Sequence, residues 1–494
     1  MRHKKLYSGL FFALFFLAYP VHAVELDLPQ AIRLACDSTL DAFRFRDLFL
    51  AQYWEYRNYK ARRLPNLTLD LTPMQYNRDI VKRYISETDM DVYRTQQSLY
   101  SYGNLSLTQN LDLTGGTFYV NSELGFFRSF GQTVYSQFSS VPLRVGYSQD
   151  LLGYNPFKWE KRIEPVKYNR ARKELIYNME EIAVTAVSYF FELALAELGQ
   201  KQAGIHKDLC QRLYDEGQER WKQHALSATD LMDLELALTS AENELLTSRN
   251  TKEKQESALS SFLNLPKGEE VHARLPDDVP VELIPEEEAM YYLRQNHPVY
   301  VAQQQNILEA RQEADKAKKE RFIEADIDIS VGFNQVADEI SQAYHHPLQQ
   351  NMVSVGVTVP LVDWGVRRGK YRIAQSNLNV AENEARKEKQ KIEEELAAMV
   401  RDYNVQVQIA RTSKRSVELA EKVLEEIVER FRLGKDDINS LFDCMLRKDE
   451  AGMNYVRALY SCWLTFYRIR QMTAYDFQQG CPMEIHSTFE IQKK

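Results

Sequence analysis

Asp326-Ile327-Asp328-Ile329-Ser330-Val331-Gly332-Phe333 is followed, at 353–361, by Val-Ser-Val-Gly-Val-Thr-Val-Pro-Leu. In the first run Ile327, Ile329, Val331 and Phe333 alternate with Asp326, Asp328, Ser330 and Gly332. In the second, Val353, Val355, Val357, Val359 and Leu361 alternate with Ser354, Gly356, Thr358 and Pro360. A period of two places every apolar side chain on one face of an extended strand. Runs of about 9 residues are also the length a tilted strand needs to cross a bilayer. Earlier in the chain Leu67, Leu69 and Leu71 alternate with Thr68, Asp70 and Thr72, and Leu105, Leu107, Leu111 and Leu113 continue the theme. A half-buried sheet on a soluble core would show the same runs, so these strands alone leave both readings open.

The surrounding sequence is duplicated. Shifted by 210 residues, Leu143, Val145, Gly146 and Leu151 fall on Val353, Val355, Gly356 and Leu361. The same shift lays Glu219-Arg220-Trp221 on Glu429-Arg430-Phe431, Leu231 on Leu441 and Asp233 on Asp443. Upstream, Ala31-Ile32 matches Ala289-Met290 at an offset of 258, and the strand at Leu67 matches that at Ile327 at 260. One shift sustained over so long a span marks an internal repeat. Each half reads as helix, strands, long helix, second long helix, and the joint lies near Pro266 to Pro285, where Pro, Gly and acidic residues break both periodicities. The expected organisation is a signal segment at 1–23, a first repeat at 24–265, a second at 266–478 and a tail at 479–494.

The first half carries extra residues between its matching strands. Gly115-Gly116 predicts a tight hairpin, and the run from Phe118 to Phe127 has no counterpart in the second half. It is either a hairpin elaboration of an outer loop or an added pair of strands.

The helices are long. From Trp364 to Phe431 there is no Pro, and Gly365 and Gly369 stand only near the start. About 60 helical residues reach roughly 90 Å. Val417, Ala420, Leu424, Ile427 and Phe431 step by three and four, as do Met453, Val456, Tyr460, Trp463 and Tyr467, which is a coiled-coil seam.

Arg2, Lys4 and Lys5 before the apolar run Leu6 to Leu17, with Val21-His22-Ala23 after it, predict a secretory signal. Beyond it no conventional membrane-spanning helix is expected, which leaves a periplasmic protein or a β-barrel. A formal charge of −8 argues against nucleic acid as a partner. Five cysteines are too few, and odd in number, for a disulfide framework; Cys444 and Cys462 on one helix would stand about 27 Å apart, too far to bridge.

Four long strands per chain cannot close a barrel, and lipid does not tolerate an open sheet edge. Copies related by cyclic symmetry would close the wall, and three chains would supply twelve strands around an aqueous lumen.

With Ala31-Ile32 opening the first helix, Leu64-Pro65 before the first strand, Val359-Pro360-Leu361 closing the last, and Phe431-Arg432-Leu433-Gly434 followed by Ile438, Leu441 and Asp443, the chain resembles the TolC-type outer membrane efflux proteins over nearly all of residues 24 to 478. The resemblance implies a mixed α/β fold: a homotrimer whose 12-stranded β-barrel in outer-membrane lipid continues into a long α-helical periplasmic barrel with an equatorial belt. It implies a passive exit duct with no cofactor, docked to a periplasmic adaptor (a membrane fusion protein) and an inner-membrane pump. It further implies a periplasmic tip closed by inward-coiled helices with acidic rings. By spacing from Gly434 the ring positions fall on Ser440 and Asp443, and the acidic tip position of the first half falls on Asp230. The basic residue that ties the tip helices together in that family falls on Asp436, of opposite sign, and His224 replaces the expected Gly at the first-half helix turn. Three Asp443 carboxylates in a constriction would form a narrow anionic filter, opened by untwisting the second-helix pair about Gly434.

Other chemistry is thin. His345-His346 lies in a strand turn with no ligand at metal spacing. No phosphate-cradling Gly-rich loop, Gly-x-Ser-x-Gly elbow or His-Glu-x-x-His pair occurs. Tyr100, Tyr102, Tyr119, Phe126, Phe127 and Phe130 would form an interfacial aromatic girdle in a barrel. The rival reading is a periplasmic coiled-coil adaptor or scaffold, which would carry one helical hairpin in place of two duplicated halves.

Overall fold

A computed structural model describes residues 24–85, 89–130, 134–266, 270–432 and 438–484. The signal segment at 1–23, Gly434, Asp436 and the tail beyond 484 lie outside the described residues. In chain order the elements are β1 (Val24–Asp27), α1 (Leu28–Ser38), α2 (Leu40–Ala61), β2 (Asn66–Ile85), β3 (Met90–Asn110), β4 (Thr117–Phe130), β5 (Val134–Asp150), α3 (Pro156–Lys222), α4 (Ala228–Phe262) and β6 (Val271–Arg274). There follow α5 (Glu286–Asn296), α6 (Pro298–Lys319), β7 (Glu324–Ala337), β8 (Leu348–Thr358), α7 (Val366–Arg432), α8 (Ile438–Thr473) and the two-residue strands β9 (Tyr475–Asp476) and β10 (Cys481–Pro482).

Element lengths recur at both offsets. α3 and α7 each run 67 residues and start at 156 and 366, the 210-residue offset. α1 and α5 are each 11 residues and α2 and α6 each 22, at the 258-residue offset. Local signals set the boundaries. Asp27 and Gln30 form a reciprocal capping box at α1. α3 ends in a Schellman turn, where Ala225 N–H donates to Arg220 O at 2.8 Å and His224 N–H to Trp221 O at 2.9 Å. His224 has φ +56, the left-handed conformation that glycine adopts without a Cβ penalty.

The chain divides into two compact units, each drawing on both repeats. The first comprises Met1–Phe45, Asn178–Met290 and Leu396–Met483. Its seam buries Ala183, Ala186, Val187, Phe190 and Phe191 of α3. Phe191 stacks on Tyr460 of α8 at 5.4 Å between ring centroids. The segment before α5 is pinned to α7 and α8: Tyr403 Oη donates to Val281 O at 2.6 Å, Asn404 exchanges two hydrogen bonds with the Ile284 backbone, each 3.0 Å, and Trp463 Nε1 donates to Asp278 O at 3.2 Å. An ion cluster lies beneath. Arg470 makes bidentate bonds to Glu180 at 2.7 and 3.0 Å and a third to Asp476 at 2.9 Å. One window of α3 is apolar and long enough to suit a membrane, contrary to the expectation of no such stretch, but half of it is buried, as in a core helix.

The second unit comprises Arg46–Tyr177, Tyr291–Glu395 and Glu484–Lys494. It holds one antiparallel sheet in the order β2-β3-β4-β5-β7-β8. The chain thus contributes six strands to a single sheet, where four were expected. The additional two are β3 and β4, which settles the Phe118–Phe127 run as part of an added strand pair. Leu111 and Leu113 stand in the turn between them, where Gly115 takes φ +81. In the helical part of this unit, Tyr56 of α2 stacks on Tyr168 of α3 at 4.7 Å, and Arg294 holds Glu393 of α7 with two bonds of 2.8 and 3.0 Å. His297 caps α6, its Nδ1 accepting from Val299 N–H at 3.3 Å, and is 5% exposed. Burial, with Lys173 adding to it, pushes its imidazole down to about 4.

Two outcomes follow. Arg470→Met strands Glu180 and Asp476 without their cation, at side-chain exposures of 5% and 9%; the first unit should lose about 3–5 kcal/mol, read as a lower urea midpoint of the helical signal. His297 is neutral when folded and binds a proton more readily once unfolded, so its contribution is complete above pH 6.5 and declines toward pH 4. Acid titration over that window should cost the native protein up to roughly 3 kcal/mol that His297→Gln does not lose.

Candidate conduit wall and constriction residues

Register assigns every side chain of the sheet to a face. Leu67 of β2 stands opposite Leu107 of β3, which pairs with Val120 of β4, then Val145 of β5, then Val331 of β7. Leu69, Leu105, Leu124, Phe126, Ile329, Phe333, Val353 and Val355 share that face. The apolar face is the open one: Leu69 is 61% exposed, Val331 49% and Val355 59%, whereas Ser330, on the other face, is 4% exposed. The short 3-10 turn Gln342–Tyr344 touches it at β5 and β7, where Ser140 Oγ donates to Ala343 O. A soluble half-buried sheet turns its apolar side inward; here the sense is reversed.

The opposite face is polar and cross-linked from strand to strand. Tyr119 Oη donates to Asp328 Oδ1 at 3.0 Å, Ser106 Oγ to Asn121 Oδ1 at 2.9 Å, and Arg144 pairs with Glu123 at 3.4 Å. Glycine makes room for these spans. A Cβ on Gly146 would collide with the Tyr119 ring, and one on Gly356 would collide with the Asp326 carboxylate. Glu123, Asp326 and Asp328 outnumber Arg144 here, so a lumen lined by this face favours cations.

The expected girdle is divided between faces. Phe126 and Phe130 stand with the apolar side chains, whereas Tyr100, Tyr102, Tyr119 and Phe127 stand on the polar face. Pairing parity decides this, and residue type alone could not. Apolar-face aromatics that composition did not single out include Phe118, Tyr147 and Phe138, the last 4.9 Å from Phe126.

The constriction candidates occupy helix starts in the first unit. Asp230 lies in the first turn of α4, its N–H capped by Ser227 Oγ at 3.1 Å. Ser440 and Asp443 lie in the opening turns of α8, where Leu441 and Cys444 face inward and Asp443 is exposed. Among the described residues neither the Asp230 nor the Asp443 carboxylate has a side-chain partner, and no bond joins the two. Gly434 and Asp436, the expected hinge, fall outside the described residues. His345 and His346 follow the short 3-10 turn Gln342–Tyr344, with ring centroids 6.4 Å apart. Among the described residues no group of three His, Cys, Asp or Glu side chains is placed to hold a metal ion.

Comparison with known proteins agrees with this geometry. Residues 290–473 match the family model described as outer membrane efflux protein. No curated protein matches the chain in amino-acid sequence. Among solved structures, the Campylobacter jejuni CmeC outer membrane channel superposes with a TM-score of 0.64 at 11% identity, covering 93% of this chain and 87% of that one. CusC, in a study of its folding and transmembrane channel formation, gives 0.62 at 12% identity, covering 93% and 95%. The Vibrio cholerae outer membrane protein VceC gives 0.57 at 14% identity, covering 92% and 97%. The efflux-protein signature thus lies within residues 290–473, and the fold of these outer membrane channels extends over almost the whole length of the chain.

Proposed function

We propose that the protein is the outer-membrane exit duct of a tripartite efflux or type I secretion assembly, carrying cargo passively from an inner-membrane pump to the exterior. The observation that carries this reading is the inverted sheet: an open apolar face from β2 to β8 backed by a hydrogen-bonded polar one. Water penalises that arrangement and lipid favours it. The sheet is open at both edges, so the duct is a homotrimer whose copies complete the wall. The two repeats, 24–265 and 266–478, each supply strands to the wall and a long helical hairpin to the periplasmic part.

At the tip, an adaptor of the membrane fusion class engages the helical hairpins and untwists them. Asp443, with Ser440 one helical turn before it, lines the narrowest point, and Asp230 contributes from the first-half hairpin. Support for this comes from the position of these residues at helix starts, with the Asp230 and Asp443 carboxylates uncommitted to other side chains among the described residues. Three Asp443 carboxylates brought together repel one another and attract multivalent cations. A coiled-coil scaffold would have no use for six membrane-type strands.

Fractionation tests the assignment: the mature chain should emerge with detergent-extracted outer membrane as a trimer, and a water-soluble periplasmic monomer would refute it. For the tip, Asp443→Ala should raise or alter cation conductance in planar bilayers and weaken blockade by trivalent cations. Unchanged blockade would remove Asp443 from the gate.

A further inference from the structure

We propose that the β3–β4 pair enlarges the transmembrane wall itself, so that three copies joined β2 to β8 close an eighteen-stranded barrel in place of a twelve-stranded one. The inference rests on the duct reading and adds to it the partner edges and the width of the mouth.

Three features place the added pair in the wall. First, β3 and β4 pair with each other from Ser98↔Ser129 to Asn110↔Thr117, and with β2 and β5 on their outer sides, so they are interior strands and not a loop lying over the sheet. Second, the apolar band crosses them without a break, through the row Leu67, Leu107, Val120, Val145 and Val331. A loop elaboration outside the bilayer would have no reason to keep lipid-facing Leu and Val in register with the strands on either side. Third, the polar bonds of the opposite face also pass through them, from Ser106 on β3 to Asn121 on β4 and from Tyr119 on β4 to Asp328 on β7.

The edges define the joint. Among the described residues β2 pairs only with β3, and β8 only with β7. Every neighbouring pair is antiparallel and the strand number is even, so β2 and β8 run in opposite directions. Head-to-tail copies therefore continue the antiparallel pattern with no mismatch. Unpaired backbone groups find no hydrogen-bond partner in lipid, so the edges must be joined. Leu67, Leu69 and Leu71 at one edge and Val353, Val355 and Val357 at the other bring matching apolar surfaces to the seam. Register shifts at Thr72/Gln75, Asn121/Glu123 and Ser140/Leu143 introduce the bulges that bend a sheet toward closure.

Barrel diameter grows roughly linearly with strand number, so eighteen strands give about 1.5 times the width of twelve and a lumen of the porin class. The long helices carry no matching insertion, since α3 and α7 are both 67 residues.

Electron cryo-microscopy of the full chain in lipid nanodiscs should show threefold symmetry and eighteen strands. Threefold particles with twelve strands and β3–β4 displaced from the wall would overturn the proposal, as would twofold particles with twelve. Engineered cysteine pairs give an independent reading. Leu69→Cys with Val145→Cys should form no disulfide within one chain, because two strands, about 14 Å in all, separate β2 from β5. Cysteines scanned along β2 and β8 should instead yield disulfide-linked dimers and trimers. Ready cross-linking of the L69C/V145C double variant within one chain would mean that β3–β4 has left the wall. Recovery of a soluble monomer would defeat the duct reading itself, a different failure from a trimer of twelve strands.

Discussion

A backbone N–H or C=O in hydrocarbon has no water to turn to, and this constraint orders the structure. On the proposed reading it requires the strands to pair along their length, and it leaves β2 and β8, each paired on one side only among the described residues, to be completed by further copies. It also explains why the apolar side chains look outward. With the ladder satisfied internally, what remains to contact lipid is the row of Leu, Ile, Val and Phe from Leu67 to Val357, while the polar bonds Tyr119–Asp328 and Arg144–Glu123 stiffen the face that meets water. The same side chains in a soluble protein would form an aggregation surface.

The helical part answers to a different balance. Helices of 67 residues gain nothing from a compact core, so side-by-side packing and a few deep polar anchors hold them. The seam of Ala183, Ala186, Phe190 and Phe191 allows close approach, and Arg470 ties α3 to the end of α8 and the turn beyond. Anchors of this kind contribute less to net stability than their geometry suggests, because both charges are desolvated, but they penalise any alternative alignment.

Much of this was legible in the chain because duplication preserves spacing: the 210-residue shift of Gly146 onto Gly356 is the shift that separates the starts of α3 and α7. Strands β7 and β8 were legible because each alternates cleanly. The strand count was not. Tyr100, Tyr102 and Phe127 stand on the polar face and blur the alternation of β3 and β4, and the outer half of β2, from Gln75 to Lys82, carries the polar residues of a loop. Pairing partners, which no local pattern encodes, make them strands. The Glu180–Arg470–Asp476 cluster left no trace either, since its members are joined only when α3 meets α8, 290 residues on from Glu180. Motif spacing singled out Ser440, Asp443 and Asp230, and the structure places them in the opening turns of α8 and α4.

The central claim is that the Val331 face meets lipid and the Ser330 face meets water. Spin labels placed singly at 327 through 333 of β7, in the assembled protein in bilayers, test it by collision with oxygen and with a water-soluble nickel chelate. Odd positions should favour oxygen and even positions the chelate, in strict alternation. Uniform access of the chelate to both sets would contradict the account.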